Sequence, residues 1–295
     1  MDTVFETHGL TKRFGRVTAL DGVDLAVGRA SIVGLLGKNG SGKTTLIRHL
    51  MGLQLPSDGT VTTLGRPGVE LGHDELVNIG YVPQEIRLLE WMTVEQHLQY
   101  VACFYPNWDT DREQRLLEEL ELDSASVVGT LSSGNLQKLA IIMAVCHHPQ
   151  LLVLDEPVSD LDPIVRVKLL RFLLELLRED QATILVSSHV LRDVEKIVDR
   201  VICLDRGRVL TNAALDELKD TYAQWLVVKK DGQLPERFSE SYVVAQQVSG
   251  NQARLLVKHG NSELEAFRVA YGVEVSDRPL NLEDLFPVLV GEHQT

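Results

Sequence analysis

The stretch Gly37-Lys-Asn-Gly-Ser-Gly-Lys-Thr44 decides the fold of this 295-residue chain. It matches the pattern G-x-x-x-x-G-K-[ST], in which small residues let successive backbone N–H groups curl around phosphate oxygens. The apolar run 30–36 before it is typical of a buried strand, and the run 45–51 after it is typical of a helix, whose N-terminus attracts anions. This order predicts a site for a nucleoside triphosphate rather than a chance glycine-rich turn.

Within the loop, two side chains have chemical roles of their own. Lys43 is expected to reach the β- and γ-phosphates, and the hydroxyl of Thr44 is expected to bind Mg²⁺. The other expected nucleotide contacts of this loop come from small or polar residues: Gly37, Asn39, Gly40, Ser41, Gly42 and Thr45.

Composition and charge limit the partners. With 44% hydrophobic and 24% charged residues, the chain has a globular composition. Its net charge of −13 offers no excess of cations for DNA or RNA phosphates, so no nucleic acid partner is expected. The chain start lacks a signal-peptide pattern and the apolar run 140–146 is too short for a bilayer, so we expect any membrane role to be peripheral, through a partner. Cys103, Cys146 and Cys203 match no metal spacing and are expected to be buried free thiols.

The chain around the loop predicts a layered α/β core. Residues 4–27 indicate a small antiparallel sheet with turns at 13–15 and 21–22. The continuous apolar runs 150–155 and 182–187 are typical of parallel strands buried on both faces.

Helices are expected between these strands. Thr93-Val-Glu-Gln96 and Thr110-Asp-Arg-Glu113 both match a capping box, and residues 112–122 predict an exposed amphipathic helix within a helical insert. Asp162 followed by Pro163 predicts the start of a helix that runs to about residue 178. Three further elements are predicted: a short strand over 78–83, a helix over 191–198, and a hairpin over 201–210 that turns at 205–207.

The character of the chain changes after residue 211. A short helix over 215–222 is followed by three strand-like runs and two closing helices, which predicts a small α+β appendage. The strand-like runs cover 224–230, 242–248 and 253–259, and the helices cover 262–271 and 282–290. The appendage carries no ligand motif, so a packing or dimer-stabilising role and a regulatory role both stay open.

Further polar residues stand where core strands end, which is where open α/β sheets place ligand contacts. Asp155 follows an apolar strand and is expected to hold Mg²⁺, and Glu156 is positioned to polarise an attacking water. Gln84 could sense both metal and water, and His189 could bind the γ-phosphate. Taken singly, each of these residues could also be a solvated strand end or loop residue.

A second helix start also has anion-binding character. Leu131-Ser-Ser-Gly-Asn135 precedes a strong helical run over 136–147. Ser132 and Gly134 at this start could bind an anion, although an ordinary serine cap would look the same.

The order of these motifs resembles the nucleotide-binding subunit of an ATP-binding-cassette (ABC) transporter over residues 1 to about 210. Residues 37–44 resemble its Walker A motif, 131–135 its signature, 151–156 its Walker B motif and 159–162 its D-loop, to which Asp162 belongs. Gln84 resembles the Q-loop glutamine and His189 the switch histidine, and Phe14 stands where the family places an aromatic ring on adenine. The segment 103–109 and the ending 282–286 are similar to single-cassette ATPases of ABC-2-type bacterial exporters.

This resemblance implies an α/β fold: a P-loop NTPase (ABC ATPase) core with an antiparallel β subdomain and a helical subdomain, plus a small C-terminal α+β appendage. The nucleotide-binding domain would cover 1–210, with the helical subdomain at about 88–148, and the accessory domain 211–295. ATP and Mg²⁺ are the implied cofactors, with Glu156, His189 and Gln84 as catalytic residues and Thr44, Gln84 and Asp155 as metal ligands.

The resemblance also implies partners. Two copies would form a head-to-tail homodimer that holds each ATP between one Walker A motif and the other copy's signature. A membrane-spanning permease subunit would dock on the helical insert, at the cytoplasmic face of a bacterial plasma membrane. Ser133 and Asn135 depart from the usual L-S-G-G-Q signature, and the Cβ of Ser133 would disfavour a positive φ, so hydrolysis is expected to be retained, with a slower rate left open.

Two rival classes stay open at this point. One is a soluble ABC ATPase that acts on DNA or ribosomes, although no heptads and no second phosphate loop are present. The other is a binding module without useful hydrolysis, against which the Asp155-Glu156 pair and His189 argue.

Overall fold

A computed structural model describes residues 3–158, 161–188, 190–258 and 263–290 of the chain. The chain folds into two compact units, of which the first ends at Val209 and the second begins at Leu210. Each unit has its own apolar core. None of the helices formed within these four ranges is both long and apolar enough to cross a bilayer.

The first unit contains an antiparallel sheet near the start of the chain. Its strands are β1 (Thr3–Phe14), β2 (Val17–Gly28), β4 (Asp58–Thr63) and β5 (Arg66–Pro67), in the order β2-β1-β4-β5. The predicted turn at 21–22 is wrong, because Gly22 lies inside β2 with a φ of 65° and donates its N–H to the Thr11 hydroxyl at 3.0 Å. The pairing slips there between Leu10 and Lys12, so these residues form a bulge and not a turn.

A second sheet forms the core of the first unit. Its strands are β3 (Ile32–Leu36), β6 (Ile79–Val82), β7 (Leu151–Asp155), β8 (Thr183–Ser188), β9 (Arg200–Asp205) and β10 (Arg208–Ala214), in the order β10-β9-β3-β8-β7-β6. The last of them, β10, begins in the first unit and ends in the second. β3 pairs in parallel with β8 and β9, and β7 pairs in parallel with β6 and β8. The parallel pairing brings the carboxyl ends of β3, β6, β7 and β8 to one edge of the sheet, as the apolar runs predicted.

Helices connect these strands. They are α1 (Lys43–Leu50), α2 (His73–Leu76), α3 (Val94–Ala102), α4 (Thr110–Glu119), α5 (Ser133–Val145), α6 (Pro163–Glu179) and α7 (Leu191–Val194). Thr93 caps α3 through the predicted capping box with Gln96. Asp162 caps α6, because one carboxylate oxygen accepts the N–H groups of Ile164 and Val165 at 3.1 Å.

Two helix boundaries differ from the sequence prediction. α4 is capped by Asp109, whose carboxylate accepts the Arg112 N–H at 2.8 Å, and not by a capping box that begins at Thr110. α7 ends at Val194 rather than 198, because the chain tightens into turns there and brings Asp199 to the start of β3. The Asp199 carboxylate accepts the Ile32 N–H at 2.8 Å, which fixes the path of the chain between α7 and the next strand.

The second unit is a small antiparallel sheet with helices. Its elements are α8 (Leu215–Thr221), β11 (Tyr222–Val228), β12 (Val243–Ser249), β13 (Gln252–Lys258), α9 (Leu264–Tyr271), β14 (Glu274–Arg278) and α10 (Leu282–Leu289), with the strand order β12-β13-β11-β14. Trp225, Phe238 and Phe267 fill its core and are at most 2% exposed. The strand β14 was not predicted, because four of its five residues are polar.

The cysteines divide into two groups. Cys146 and Cys203 are buried free thiols, as predicted, and burial raises the pKa of the Cys203 thiol to about 12. Cys103 is exposed, so the prediction that all three are buried is wrong. It caps the C-terminal end of α3. Its apolar neighbour Phe104 is exposed too, at 53%, so an apolar sequence context does not mean burial here.

Candidate nucleotide site

The phosphate loop joins β3 to α1, and two glycines fix its path. A Cβ atom on Gly37 would lie 2.3 Å from the carbonyl oxygen of Leu204. Gly42 has a φ of 110°, and a Cβ there would lie 2.6 Å from the carbonyl oxygen of Ala19. Only glycine fits these two positions, so the backbone passes tightly between β9 and β2 and leaves its N–H groups at the start of α1 without a side-chain cap.

An open cleft of about 440 Å³ lies over this loop. It is lined by the loop residues 38–45, by Phe14 and Ala19, and by Gln84, Asp155 and Glu156. The hydroxyl of Ser41 is buried there and has no hydrogen-bond partner among the described residues. A buried hydroxyl without a protein partner, beside backbone N–H groups, leaves hydrogen-bond positions open to a ligand with acceptor oxygens.

Lys43 is the buried cation of this cleft. Its side chain is 7% exposed, and its ammonium group donates to the carbonyl oxygen of Gly37 at 2.7 Å. The same nitrogen lies 3.8 Å from Oε1 of Glu156. The ammonium group therefore sits between the loop backbone and the acid that follows β7, where it could balance phosphate charge.

Asp155 and Glu156 both face the cleft, although they are neighbours in sequence. Successive side chains of a strand point to opposite faces, so a continued strand would have separated them. β7 ends at Asp155, and Glu156 takes a positive φ of 56°, which turns its side chain back towards Lys43. Both acids are almost fully buried, at 1% and 6% exposure.

Ser187 on β8 contacts both acids. Its hydroxyl donates to Oδ1 of Asp155 at 2.6 Å and accepts the N–H of Glu156 at 2.9 Å. Oδ2 of Asp155 is buried and has no partner among the described residues. Ser187 is not among the residues predicted from sequence, although a signal exists, because β8 is a buried strand that ends in two serines, Ser187 and Ser188.

Two further residues border the cleft. Phe14, at the end of β1, is 48% exposed, and the Lys12 ammonium group lies 5.2 Å from its ring centroid. Gln84 lines the cleft two residues after β6. Within β6, burial and the nearby charge of Asp155 raise the pKa of Tyr81. The structure thus brings together Phe14, Gln84, both acids and the glycine loop.

Comparison with known proteins identifies the family. A family model described as ABC transporter matches residues 20–159. The bacitracin transport ATP-binding protein BcrA of Enterococcus faecalis is 30% identical, over 99% of this chain and 97% of the relative. The chain belongs to the ABC transporter ATP-binding proteins. BcrA of Bacillus licheniformis is 33% identical over 77% of this chain and 74% of its own length.

Solved ABC cassettes share the fold. The ATP-binding subunit of an ABC transporter superposes with a TM-score of 0.66 at 32% identity, over 74% of this chain and 92% of the other. The cassette MJ0796, solved as a dimer in a post-hydrolysis state with ADP and Pi, gives a TM-score of 0.64 at 26% identity, over 72% and 98%. The chain is therefore an ATP-hydrolysing, nucleotide-binding subunit that drives a membrane transporter.

Several predicted site residues of this ABC subunit do not line the cleft. Ser132 caps α5, where its hydroxyl accepts the Asn135 N–H at 3.3 Å, and it is exposed. Gly134 lies in the first turn of α5, and Asp162 caps α6. None of these three is among the described residues that line the cleft. His189 and the D-loop residues 159–160 lie outside the described residues.

Some features of the site were not predicted. Lys38 and Ala19 line the cleft, whereas Gly37 acts through its carbonyl group on Lys43. Ser133 is the first residue of α5 and is not among the residues with a positive φ. Its Cβ therefore causes no backbone strain here. Strain at Ser133 therefore gives no reason for slower hydrolysis in this conformation, and retained hydrolysis stays a prediction for the altered signature.

The fit of the site to Mg²⁺ can be judged from its oxygen atoms. The described residues contain no group of three or more His, Cys, Asp and Glu side chains that could hold a metal. The cleft does offer the unpaired Oδ2 of Asp155, the Thr44 hydroxyl and the Gln84 amide. Mg²⁺ prefers oxygen ligands and binds proteins through one or two carboxylates together with substrate phosphates. This donor set fits that preference.

Proposed function

We propose that this ATP-binding subunit powers an ABC-2-type exporter, with an antibiotic or peptide as cargo. The relatives named for bacitracin transport support this proposal, because one of them matches 99% of this chain. A sulfonate import subunit of Burkholderia lata is 36% identical but matches only 73% of this chain. The match to BcrA extends over the C-terminal unit, which favours a function like that of the bacitracin transport proteins over that of the sulfonate importers. It also favours a transporter over an ABC ATPase that acts on DNA or ribosomes.

We propose a domain organisation that the two compact units support. Residues 1–210 would be the nucleotide-binding domain, with a helical subdomain at about 88–148, and residues 211–295 an accessory domain. The division of the structure between Val209 and Leu210 supports this boundary. The accessory domain has an aromatic core of its own, which fits a packing or dimer-stabilising role.

The observation that carries the proposed mechanism is a cleft that holds one half of an ATP site. The glycine loop, Lys43 and the two acids share the cleft, whereas Ser132 and Gly134 belong to a helix start outside it. Because Ser132 is exposed, a second copy could present it to the γ-phosphate. We propose a head-to-tail homodimer on this ground, and two structures of the similar cassette MJ0796 are dimeric.

Within one site, each residue would have a separate task. Phe14 would stack on adenine, the loop N–H groups and Lys43 would hold the phosphates, and Glu156 would orient the attacking water. Thr44, Asp155 and Gln84 would hold Mg²⁺, which supplies positive charge to the phosphate oxygens when bound. His189 would contact the γ-phosphate, and Asp162 would meet the second copy.

The helical insert offers a surface for the permease. Trp91, Tyr100 and Phe104 are 75%, 47% and 53% exposed, and the rings of Tyr100 and Phe104 lie 5.4 Å apart. The adjoining rings of Tyr100 and Phe104 give exposed apolar surface, which is a feature of protein interaction sites. We propose that a membrane-spanning permease subunit binds here, which would hold the chain at the cytoplasmic face of a bacterial plasma membrane.

The variant Glu156→Gln tests the composite site. It keeps the shape of the side chain but removes the base. ATP should therefore still bind, and its hydrolysis should be at least about 100-fold slower. Light scattering after gel filtration should then find an ATP-bound dimer at protein concentrations where the wild type is monomeric. Wild-type turnover in this variant would exclude Glu156 as the base, and a monomer in saturating ATP would exclude the sandwich. Glu179→Gln, at the C-terminal end of α6, is the matched control.

A further inference from the structure

Ser187 makes two hydrogen bonds whose directions depend on each other. A hydroxyl has one proton and two lone pairs. The N–H of Glu156 points at the serine oxygen and occupies a lone pair, at 2.9 Å. The serine proton then has Oδ1 of Asp155 as its acceptor, at the short distance of 2.6 Å. Ser187 is completely buried, so water does not compete for either bond.

Each of these bonds fixes one acid. The bond to Oδ1 holds the Asp155 carboxylate so that Oδ2 keeps no partner among the described residues and stays available to a cation. The Glu156 N–H donates to the Ser187 hydroxyl and also reaches the Ser187 carbonyl oxygen at 3.3 Å, and it belongs to a left-handed, non-glycine residue, a conformation that persists only when neighbours enforce it. That conformation is what directs the Glu156 side chain to the same cleft as Asp155.

We propose that Ser187 is a positioning residue that sets the metal-facing oxygen of Asp155 and the backbone turn of Glu156 at the same time. It contacts neither ATP nor metal and acts through the two acids. This inference rests on the proposed roles of Asp155 and Glu156. It adds that β8, whose backbone pairs with β7, orients Asp155 and Glu156 through the hydroxyl of Ser187.

The test is Ser187→Ala in the full chain, with three readouts. Mn²⁺ affinity of the ADP complex, measured by electron paramagnetic resonance, should fall about 10-fold. Binding of a fluorescent ADP analogue in EDTA should stay unchanged, because the glycine loop and Lys43 are untouched. The ATPase kcat should fall about 10-fold while KM changes less than about twofold. Ser187→Thr keeps the hydroxyl and should restore both metal affinity and kcat to within about threefold of wild type.

The matched control is Thr183→Val at the other end of β8. Thr183 is also buried, and its hydroxyl accepts the Ala30 N–H at 3.0 Å, so this variant removes a comparable buried hydrogen bond. Its Mn²⁺ affinity and kcat should match the wild type. The proposal is overturned if Ser187→Ala keeps wild-type metal affinity and kcat, or if Thr183→Val loses them equally.

A third variant, Asp155→Asn, separates this inference from the proposed metal site. If it leaves Mn²⁺ affinity unchanged, the metal site itself is wrong and the role of Ser187 fails with it. If Asp155→Asn lowers Mn²⁺ affinity and Ser187→Ala does not, only the positioning role of Ser187 is refuted.

Discussion

The helices α1 and α5 both begin with small and polar residues, yet their N-termini are built differently. The N-cap of α1 is Gly42, which has a positive φ and no side chain to accept an N–H. The N-cap of α5 is Ser132, whose hydroxyl accepts the Asn135 N–H. A helix leaves its first N–H groups without intrahelical partners. Those of α1 have no side-chain cap and are left for a ligand, whereas in α5 the Ser132 hydroxyl accepts one of them.

The starts of α1 and α5 also differ in their surroundings. The start of α1 lies in a cleft with a buried lysine and two buried acids, whereas Ser132 is exposed. Two similar glycine- and serine-containing sequences thus give one loop that lines a cleft and one exposed helix start. The cleft should decide nucleotide affinity, and the α5 start should decide turnover.

The largest effect should come from Lys43→Ala. Truncating a buried charge that pairs with ligand costs about 2–5 kcal/mol, so nucleotide affinity should fall about 100-fold or more. Isothermal titration with ADP and with ATP measures this directly. Lys168→Ala is the control, since Lys168 binds Glu119 and Glu121 and is not a lining residue of the cleft. Unchanged affinity in Lys43→Ala would place the nucleotide elsewhere.

A smaller loss is expected from Gly42→Ala. The positive φ and the 2.6 Å approach to the Ala19 carbonyl oxygen should cost roughly 2–3 kcal/mol of folding stability, and the shifted loop should bind ADP weakly. Gly40→Ala is the comparison, because Gly40 also has a positive φ but no atom within 4 Å of an added Cβ. Urea unfolding should therefore show a clearly smaller loss for Gly40→Ala. Equal losses would mean that close packing at Gly42 is unimportant.

The glycine loop and the buried strands could be predicted because their signals are local. Continuous apolar runs gave β7 and β8, and the pattern at 37–44 gave the loop between β3 and α1. β14 could not be predicted in this way. It has a single buried residue, Val275, and is held in the sheet by pairing with β11, which is distant in sequence.

The arrangement of the acids also depends on contacts between distant residues. The sequence places Glu156 after Asp155, but the left-handed turn that brings both to one cleft is visible only in the backbone. Ser187 lies 31 residues from Glu156 and reaches it only because β8 pairs with β7. The role of Asp109 as the cap of α4 was missed for a simpler reason, since Thr110 next to it also fits a cap.

The smallest effect should come from Ser132, and two variants of it separate capping from catalysis. Ser132→Ala loses the cap of α5 and should cost about 1 kcal/mol of stability. Ser132→Asp keeps a capping oxygen, so its thermal unfolding should match the wild type, but it places a negative charge where the γ-phosphate of a second copy would approach. Both variants should bind ADP as the wild type does, and ATP turnover should fall more in Ser132→Asp than in Ser132→Ala. Normal turnover in Ser132→Asp would mean that α5 only packs and never meets nucleotide.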